Sequence, residues 1–117
     1  MPAAVREAID EELALAASAP ASAADDTARW RSLERAHILS QPWPGPHTAV
    51  HWRMLRLAWR QRDRREALGQ VVRLVVAAPG SVSGRYPEGN TGRASVGLLE
   101  PMPVPDDLAR LLDPSGG

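Results

Sequence analysis

Apolar residues in the first two thirds of the chain recur every three or four positions, a spacing that places side chains on one face of an α-helix. Small, polar or proline residues interrupt the pattern. It predicts four helices, over residues 3–17, 25–41, 46–60 and 64–78. A small-residue segment at 18–24 separates the first two helices. The segment PWPGP separates the second from the third, because a helix cannot continue through three prolines in five residues.

The fourth predicted helix has the most continuous apolar stripe. Large aliphatic residues follow one another there at helical spacing: Leu68, Val71, Val72 and Val75. We expect this stripe to face the core, and the polar side chains Glu66, Gln70 and Arg73 to face solvent. Pro79 and Gly80 are expected to end the helix.

The C-terminal third differs in composition. Residues 79–105 are rich in Pro, Gly, Ser, Asn and Thr and keep no helical or strand period, which predicts an irregular segment wrapped over the helices. Residues 106–112 predict a short last helix, docked through Leu108, Leu111 and Leu112. We interpret residues 1–117 as one all-α domain. Its helical core, residues 3–78, is a small antiparallel, hairpin-like array of about four helices.

The composition excludes several kinds of chemistry. The 117 residues contain no cysteine, which excludes disulfides, thiolate metal sites and cysteine nucleophiles. All 14 basic residues are arginine, which excludes Schiff-base lysines. No stretch reads as a signal peptide or is long enough to cross a bilayer. We therefore expect a cytoplasmic protein without a membrane partner.

The net charge is zero, but the charges are unevenly distributed. Residues 53–73 hold seven arginines against Asp63 and Glu66, whereas residues 1–28 are acidic. Acidic and basic helices that attract each other explain this pattern without a partner. The alternative is a contact surface for a protein partner, formed by Arg53, Arg56 and Arg60. Nucleic acid is the less expected partner: Trp52 and Trp59 could stack on bases, but their spacing also suits a core.

All three histidines lie close together in the sequence, on both sides of the PWPGP turn. Glu34 and His37 are three positions apart on the second helix, and His47 and His51 are four positions apart on the third. Each pair therefore shares one face of its helix, the apolar one. A buried polar group without a partner costs about 1–3 kcal/mol, and a metal ion would satisfy all four groups. We predict a metal site formed by Glu34, His37, His47 and His51.

The ligand types suit a divalent transition metal: Zn, Fe, Cu or Ni. With Glu34 as a fourth ligand, the site would be closed, as in structural or transport sites. With Glu34 as an orienting group, three histidines leave a position open for water, so catalysis stays an open question. Histidines that only hydrogen-bond to nearby helix ends are the alternative without a metal. The second functional hypothesis is a helical protein-interaction module with the arginine surface and no metal.

Four segments and their order resemble a family of small bacterial proteins, the domain of unknown function 3703: LERAHILSQ, GPHTAVHWRMLRL, RDRREALGQVVRL and GRYPEGNTG, the last followed by PMPVPDDLARLL. The resemblance spans about residues 28–112 and implies no established activity. An association of such proteins with heavy-metal-resistance genes implies a role in metal handling or resistance. The family's Glu-x-x-His and His-x-x-x-His fall on Glu34, His37, His47 and His51. Where the family reads GNTGG, this chain has Arg93, which argues against a strict glycine-loop function at Gly89–Gly92.

Overall fold

A computed structural model of the chain describes residues 1–18, 23–84, 86–98 and 100–114. These residues form five α-helices and no strand: α1 Ala3–Ser18, α2 Ala23–Ser40, α3 Pro44–Arg60, α4 Arg64–Ser83 and α5 Asp106–Leu112. The predicted all-α class is confirmed, with five helices rather than about four. Most of the predicted linker, residues 19–22, and the chain end from residue 115 lie outside the described residues.

Consecutive helices from α1 to α4 pack against each other in opposite directions. Arg29 near the start of α2 donates to the carbonyl of Ala16 near the end of α1, with Nε 3.2 Å from the oxygen. Trp30 donates from its indole nitrogen to Gln61 at the end of α3, at 2.9 Å. His51 of α3 contacts Gln70 of α4. Turns of three residues join α2 to α3 and α3 to α4, and such short connections make neighbouring helices antiparallel.

The proline corner belongs partly to α3. This helix begins at Pro44, earlier than the predicted residue 46, and extended Trp43 is its N-cap. Pro44 and Pro46 lie in the first helical turn, where a missing backbone N–H breaks no intrahelical bond. The corner therefore sets α3 directly against α2, with only Gln41, Pro42 and Trp43 between the two helices.

The predicted end of α4 at Pro79–Gly80 is wrong, because the helix continues to Ser83. Pro79 removes one helical hydrogen bond, which normally ends or bends a helix. Here the hydroxyl of Ser81 donates to the carbonyl of Gln41, at 2.5 Å, and holds the last turn against the rest of the protein. The helix ends at Gly84, whose φ of 72° is the left-handed conformation that glycine adopts most easily.

The predicted orientation of α4 is also wrong. The side that faces the protein carries polar and small residues at helical spacing, which we call the inner stripe: Glu66, Gln70, Arg73, Ala77 and Ser81, all buried. The opposite side, called the outer stripe, carries the large apolar residues, all exposed: Leu68, Val71, Val72, Val75 and Val82. The helix is therefore amphipathic as predicted, but its polar face is the buried one.

Two apolar clusters form the core, and α2 contributes to both. The first lies between α2 and α3 and includes Trp30, Leu33 and Met54. The second joins α1 and α2 to α5, with Leu108 fully buried and Leu111 and Leu112 packed at its edge. The docking predicted for the last helix is thus confirmed. The irregular wrap, of which residues 84, 86–98 and 100–105 are described, joins α4 to α5.

Candidate metal centre

The three histidines meet in the interior, between the C-terminal part of α2 and the first half of α3. The Nε2 atom of His37 lies 3.0 Å from that of His51 and 3.1 Å from that of His47. The Nε2 atoms of His47 and His51 are 3.2 Å apart. All three residues are at most 5% exposed. Among the described residues, they form the one cluster of side chains that could hold a metal ion.

The second ring nitrogen of each histidine has its own partner. Nδ1 of His37 is 2.6 Å from the carbonyl oxygen of Asn90. Nδ1 of His47 is 2.8 Å from the hydroxyl of Ser81, and Nδ1 of His51 is 2.7 Å from Oε1 of Gln70. Each partner belongs to α4 or to the wrap, so these two segments set the orientation of the three rings.

The partners decide which nitrogen carries the proton. The carbonyl of Asn90 can only accept, so His37 donates from Nδ1. The hydroxyl hydrogen of Ser81 is already donated to Gln41, so Ser81 accepts from Nδ1 of His47. With Nδ1 protonated, a neutral imidazole has its lone pair on Nε2.

The orientation of Gln70 is fixed in the same way. Its amide nitrogen donates to Glu66, at 2.8 Å, and to the carbonyl of Gly92, at 2.7 Å. Both partners are acceptors, so the amide oxygen faces His51 and accepts its Nδ1–H. The remaining oxygen of Glu66 accepts from Nε of Arg93, at 2.6 Å. A chain of hydrogen bonds therefore runs from a buried carboxylate through an amide to the imidazole.

The wrap closes over His37 at the Gly89–Gly92 turn. A Cβ atom at Gly92 would lie 2.7 Å from Cδ2 of His37, and the φ of this residue is 82°. Only glycine fits both conditions without strain. The side chain of Asn90 stabilises the turn: its nitrogen donates to two carbonyls, and its oxygen accepts from the backbone N–H of Gly92. The turn is thus part of the histidine site.

Burial keeps the three imidazoles neutral. Desolvation lowers the pKa of His37 well below its usual value, and proximity to His51 and His47 lowers it further. The same loss of solvent lowers the pKa of His47 to about 4 and that of His51 to about 4. Near pH 7 the three Nε2 atoms are therefore unprotonated, which is the state that binds a metal.

Glu34, the fourth predicted ligand, lies outside the cluster. Its Oε1 is 3.4 Å from Nη1 of Arg93, and burial raises the pKa of the Glu34 carboxyl, while Arg93 opposes that shift. Arg93 also stacks on Trp30, 3.8 Å from the ring centroid to the guanidinium carbon. Residues three positions apart on a helix differ by about 60° in direction, and this offset directs Glu34 to Arg93 instead of the histidines.

The histidines border a cleft of about 410 Å³ between α4 and the wrap. Arg73 lines the same cleft. Its guanidinium donates to the carbonyls of Gly69 and Val96, at 3.2 and 2.7 Å, and so ties the wrap to α4. The three histidines are therefore buried, but the cleft beside them gives a small ion or molecule a route to their Nε2 atoms.

These features define an all-α protein with a buried three-histidine cluster that could hold a metal ion. The chain belongs to the family described as Protein of unknown function (DUF3703), whose profile matches residues 3–112. No curated protein and no solved structure matches the chain significantly. None of the described helices has the length and apolar character needed to span a membrane.

Sequence reasoning missed the groups that orient the histidines. The helical pattern predicts that Gln70 faces solvent and gives Ser81 no role, although each histidine that binds a metal through one nitrogen needs an acceptor for the other. Gln70 and Ser81 are spaced so that they share one stripe of α4, and this spacing could have indicated that both face the histidines. The partner of His37 is a backbone carbonyl, which no side-chain pattern identifies.

Proposed function

We propose that the protein binds one divalent transition metal ion through Nε2 of His37, His47 and His51, as part of metal handling. The observation that carries the proposal is the convergence of three lone pairs. All three Nδ1–H groups are directed outward to acceptors, so the contacts of 3.0–3.2 Å between Nε2 atoms join acceptors only. Lone pairs held this close in a buried site repel each other unless a cation lies between them.

The spacing also fits a metal. At the ~2.05 Å bond length of a zinc–imidazole bond, nitrogen atoms 3.0–3.2 Å apart subtend an angle of roughly 100° at the metal. This angle lies between those of octahedral and tetrahedral coordination. Three ligands at such angles occupy one side of the ion and leave the other side open. Imidazole ligands suit Zn, Cu, Fe or Ni.

The open side supports exchange of the metal or of a further ligand. A structural zinc site uses four protein ligands, whereas three histidines leave at least one position for water or another molecule. The cleft beside the cluster gives that position a route to solvent. Metal delivery and metal-assisted chemistry both need such a route, and delivery needs no further catalytic group.

Metal content of protein purified without a histidine tag tests the proposal. We expect one ion per chain after incubation with Zn²⁺, Co²⁺, Ni²⁺ or Cu²⁺ and desalting, measured by inductively coupled plasma mass spectrometry. His51→Ala should lower the affinity by at least about 100-fold, since removing even an outer-sphere partner costs 10–100-fold. Arg53→Ala, on the exposed side of the same helix, is the matched control. Negligible occupancy with every metal contradicts the proposal.

The arginine surface supports the second candidate function, a contact with an acidic protein. Arg53, Arg56 and Arg60 are exposed and border one shallow pocket of about 160 Å³. None of the three forms an ion pair with a carboxylate in the described part of the chain. We expect a partner captured from lysate to be lost when all three are changed to glutamate. It should be retained when Arg64 and Arg65 are changed instead.

A further inference from the structure

The most unusual surface of the molecule is the outer stripe of α4. Leu68 is 68% exposed and Val75 is 72% exposed, although both belong to the helical stripe of large aliphatic residues that the sequence places in the core. Single exposed apolar residues are common and need no explanation. A complete helical stripe of them, at the spacing used for helix packing, marks an interaction surface.

The stripe continues onto α3 across an apolar groove. Trp59 is 77% exposed at the edge of this groove, and Leu55, Leu68 and Val71 line it. Trp52 is seven residues before Trp59, so it lies on the same side of α3, and 53% of it is exposed. We call the outer stripe together with these two tryptophans the apolar face.

We infer that the apolar face is the contact surface between two copies of this chain, related by a two-fold axis across α4. Its size fits this assignment. The exposed side chains offer on the order of 700 Å² per copy, which exceeds the ~300–600 Å² patch of a typical monomer and approaches the ~800 Å² per partner of a standard interface.

The charge distribution favours a second copy as the occupant. Between Leu68 and Val82 the one charged residue of α4 is Arg73, which belongs to the buried inner stripe. The α4 part of the face is therefore uncharged and suits an equally apolar occupant, and the charged residues Arg62, Asp63 and Arg64 lie at its Trp59 end, where they line the groove. A two-fold axis perpendicular to α4 makes the two α4 helices antiparallel, which opposes their dipoles favourably and moves the exposed Arg64 and Arg65 of each copy to opposite ends of the interface.

The face also has a protruding and a receding part. A groove of about 620 Å³ lies directly beside the indole of Trp59. With the two-fold axis across the middle of α4, the Trp59 end of one copy lies opposite the Val82 end of the other copy, so each indole can pack against the last apolar residues of the other α4. A lipid surface fits less well, because helices that lie on membranes expose a basic face to water, whereas the polar face of α4 is buried in its own protein.

The pairing would also border the metal cleft. Val75, Val76 and Pro79 line the cleft beside the histidines, and Val75 is part of the apolar face. A second copy seated on this face narrows the approach to the cluster from the side of α4. This consequence depends on the proposed metal function, whereas the dimer itself does not.

Sedimentation velocity of metal-free protein in chelator, from 1 to 200 μM, tests the inference independently of metal binding. We expect a dimer of the 12.6 kDa chain that dissociates on dilution. The double variant L68E/V75E should be monomeric throughout, with unchanged far-ultraviolet circular dichroism. Trp59→Ala should weaken the dimer at least 10-fold.

Leu15→Glu is the matched control, because Leu15 is an exposed leucine of α1, 59% exposed and outside the apolar face. It should leave the dimer intact. A wild-type chain that is monomeric at 200 μM overturns the inference and assigns the face to another occupant, such as an apolar helix of a different protein or a vesicle surface. A dimer that persists in the double variant overturns it equally, because the contact then lies elsewhere.

Discussion

The helices α3 and α4 pack against each other, yet they bury opposite kinds of side chain. The buried stripe of α3 is apolar except for its two histidines: His47, Val50, His51, Met54, Leu57 and Ala58. The buried stripe of α4 is polar or small along its whole length, and its apolar residues face outward. The hydrophobic pattern therefore predicts the orientation of one helix correctly and that of its neighbour incorrectly.

The difference shows what controls the orientation of α4. Two imidazole N–H groups of α3 point toward α4, and the carbonyls of the wrap pass close to it. These groups need acceptors and donors inside the protein, since each one left unsatisfied costs about 1–3 kcal/mol. The inner stripe supplies these partners. This orientation leaves several aliphatic side chains exposed to water, which is unfavourable. A second copy that covers them would remove this exposure.

The largest expected effect of a single substitution away from the ligands is that of Gly92→Ala. The new Cβ would lie 2.7 Å from Cδ2 of His37, at a backbone φ of 82°. Backbone strain and overpacking together should lower the free energy of unfolding by about 2–4 kcal/mol. Displacement of the His37 ring should also weaken metal binding. Urea denaturation of metal-free protein and metal titration of the folded variant measure the two effects.

Gly45→Ala is the control for this substitution. A Cβ at Gly45, in the first turn of α3, meets no heavy atom within 4 Å apart from its two neighbours in the chain and the backbone of its own helix. The higher helix propensity of alanine and the crowding between its Cβ and the ring of Pro46 act in opposite directions, so this variant should stay within about 1 kcal/mol of the wild type. Equal stability of both alanine variants would mean that the wrap does not pack on His37.

A matched exchange on α4 tests the inverted orientation directly. Gln70→Leu places a larger apolar group on the inner stripe, and Leu68→Gln places an amide on the outer stripe. Leucine and glutamine have similar helix propensities, so the difference between the variants reports their surroundings. We expect Gln70→Leu to lose about 1–3 kcal/mol of stability, because the Nδ1–H of His51 and the carboxylate of Glu66 lose a partner.

Leu68→Gln should change the stability of dilute, monomeric protein by less than about 0.5 kcal/mol, as expected for a surface position. Gln70→Leu should also lower metal affinity by 10–100-fold, since the amide orients a ligand. Thermal denaturation at low protein concentration and isothermal titration with Zn²⁺ measure these quantities. The reverse ranking of the two variants would show that α4 has its apolar stripe inside.

Much of the fold could be predicted because local signals decide it. The prolines of PWPGP, the small residues before α2 and the spacing of Val50, Met54 and Ala58 locate the helices within a few residues. The histidines could be placed on facing sides of α2 and α3 for the same reason. The buried face of α4 could not be predicted, because hydrogen bonds between residues far apart in sequence determine it. His51 bonds to Gln70, and Gln70 bonds to the carbonyl of Gly92.

The smallest expected effect is the change of stability with pH, which tests whether the three buried imidazoles are neutral in the folded protein. The pKa values of His47 and His51 are lowered to about 4 in the folded protein, against about 6.5 in an unfolded chain, and that of His37 is lowered as well. The unfolded state therefore binds more protons between about pH 4 and 6.5. By linkage, the stability of the metal-free protein must rise with pH in this window and fall as pH decreases.

Between pH 7.5 and 6.5 the loss for three histidines should be roughly 1 kcal/mol, and it should grow below pH 6.5. Urea denaturation of metal-free wild type at several pH values gives the slope, and His51→Ala should reduce it by about one third. A slope of zero would mean that the imidazoles titrate alike in both states. The rings would then be solvated, and acceptors on α4 would no longer explain why its polar face is buried.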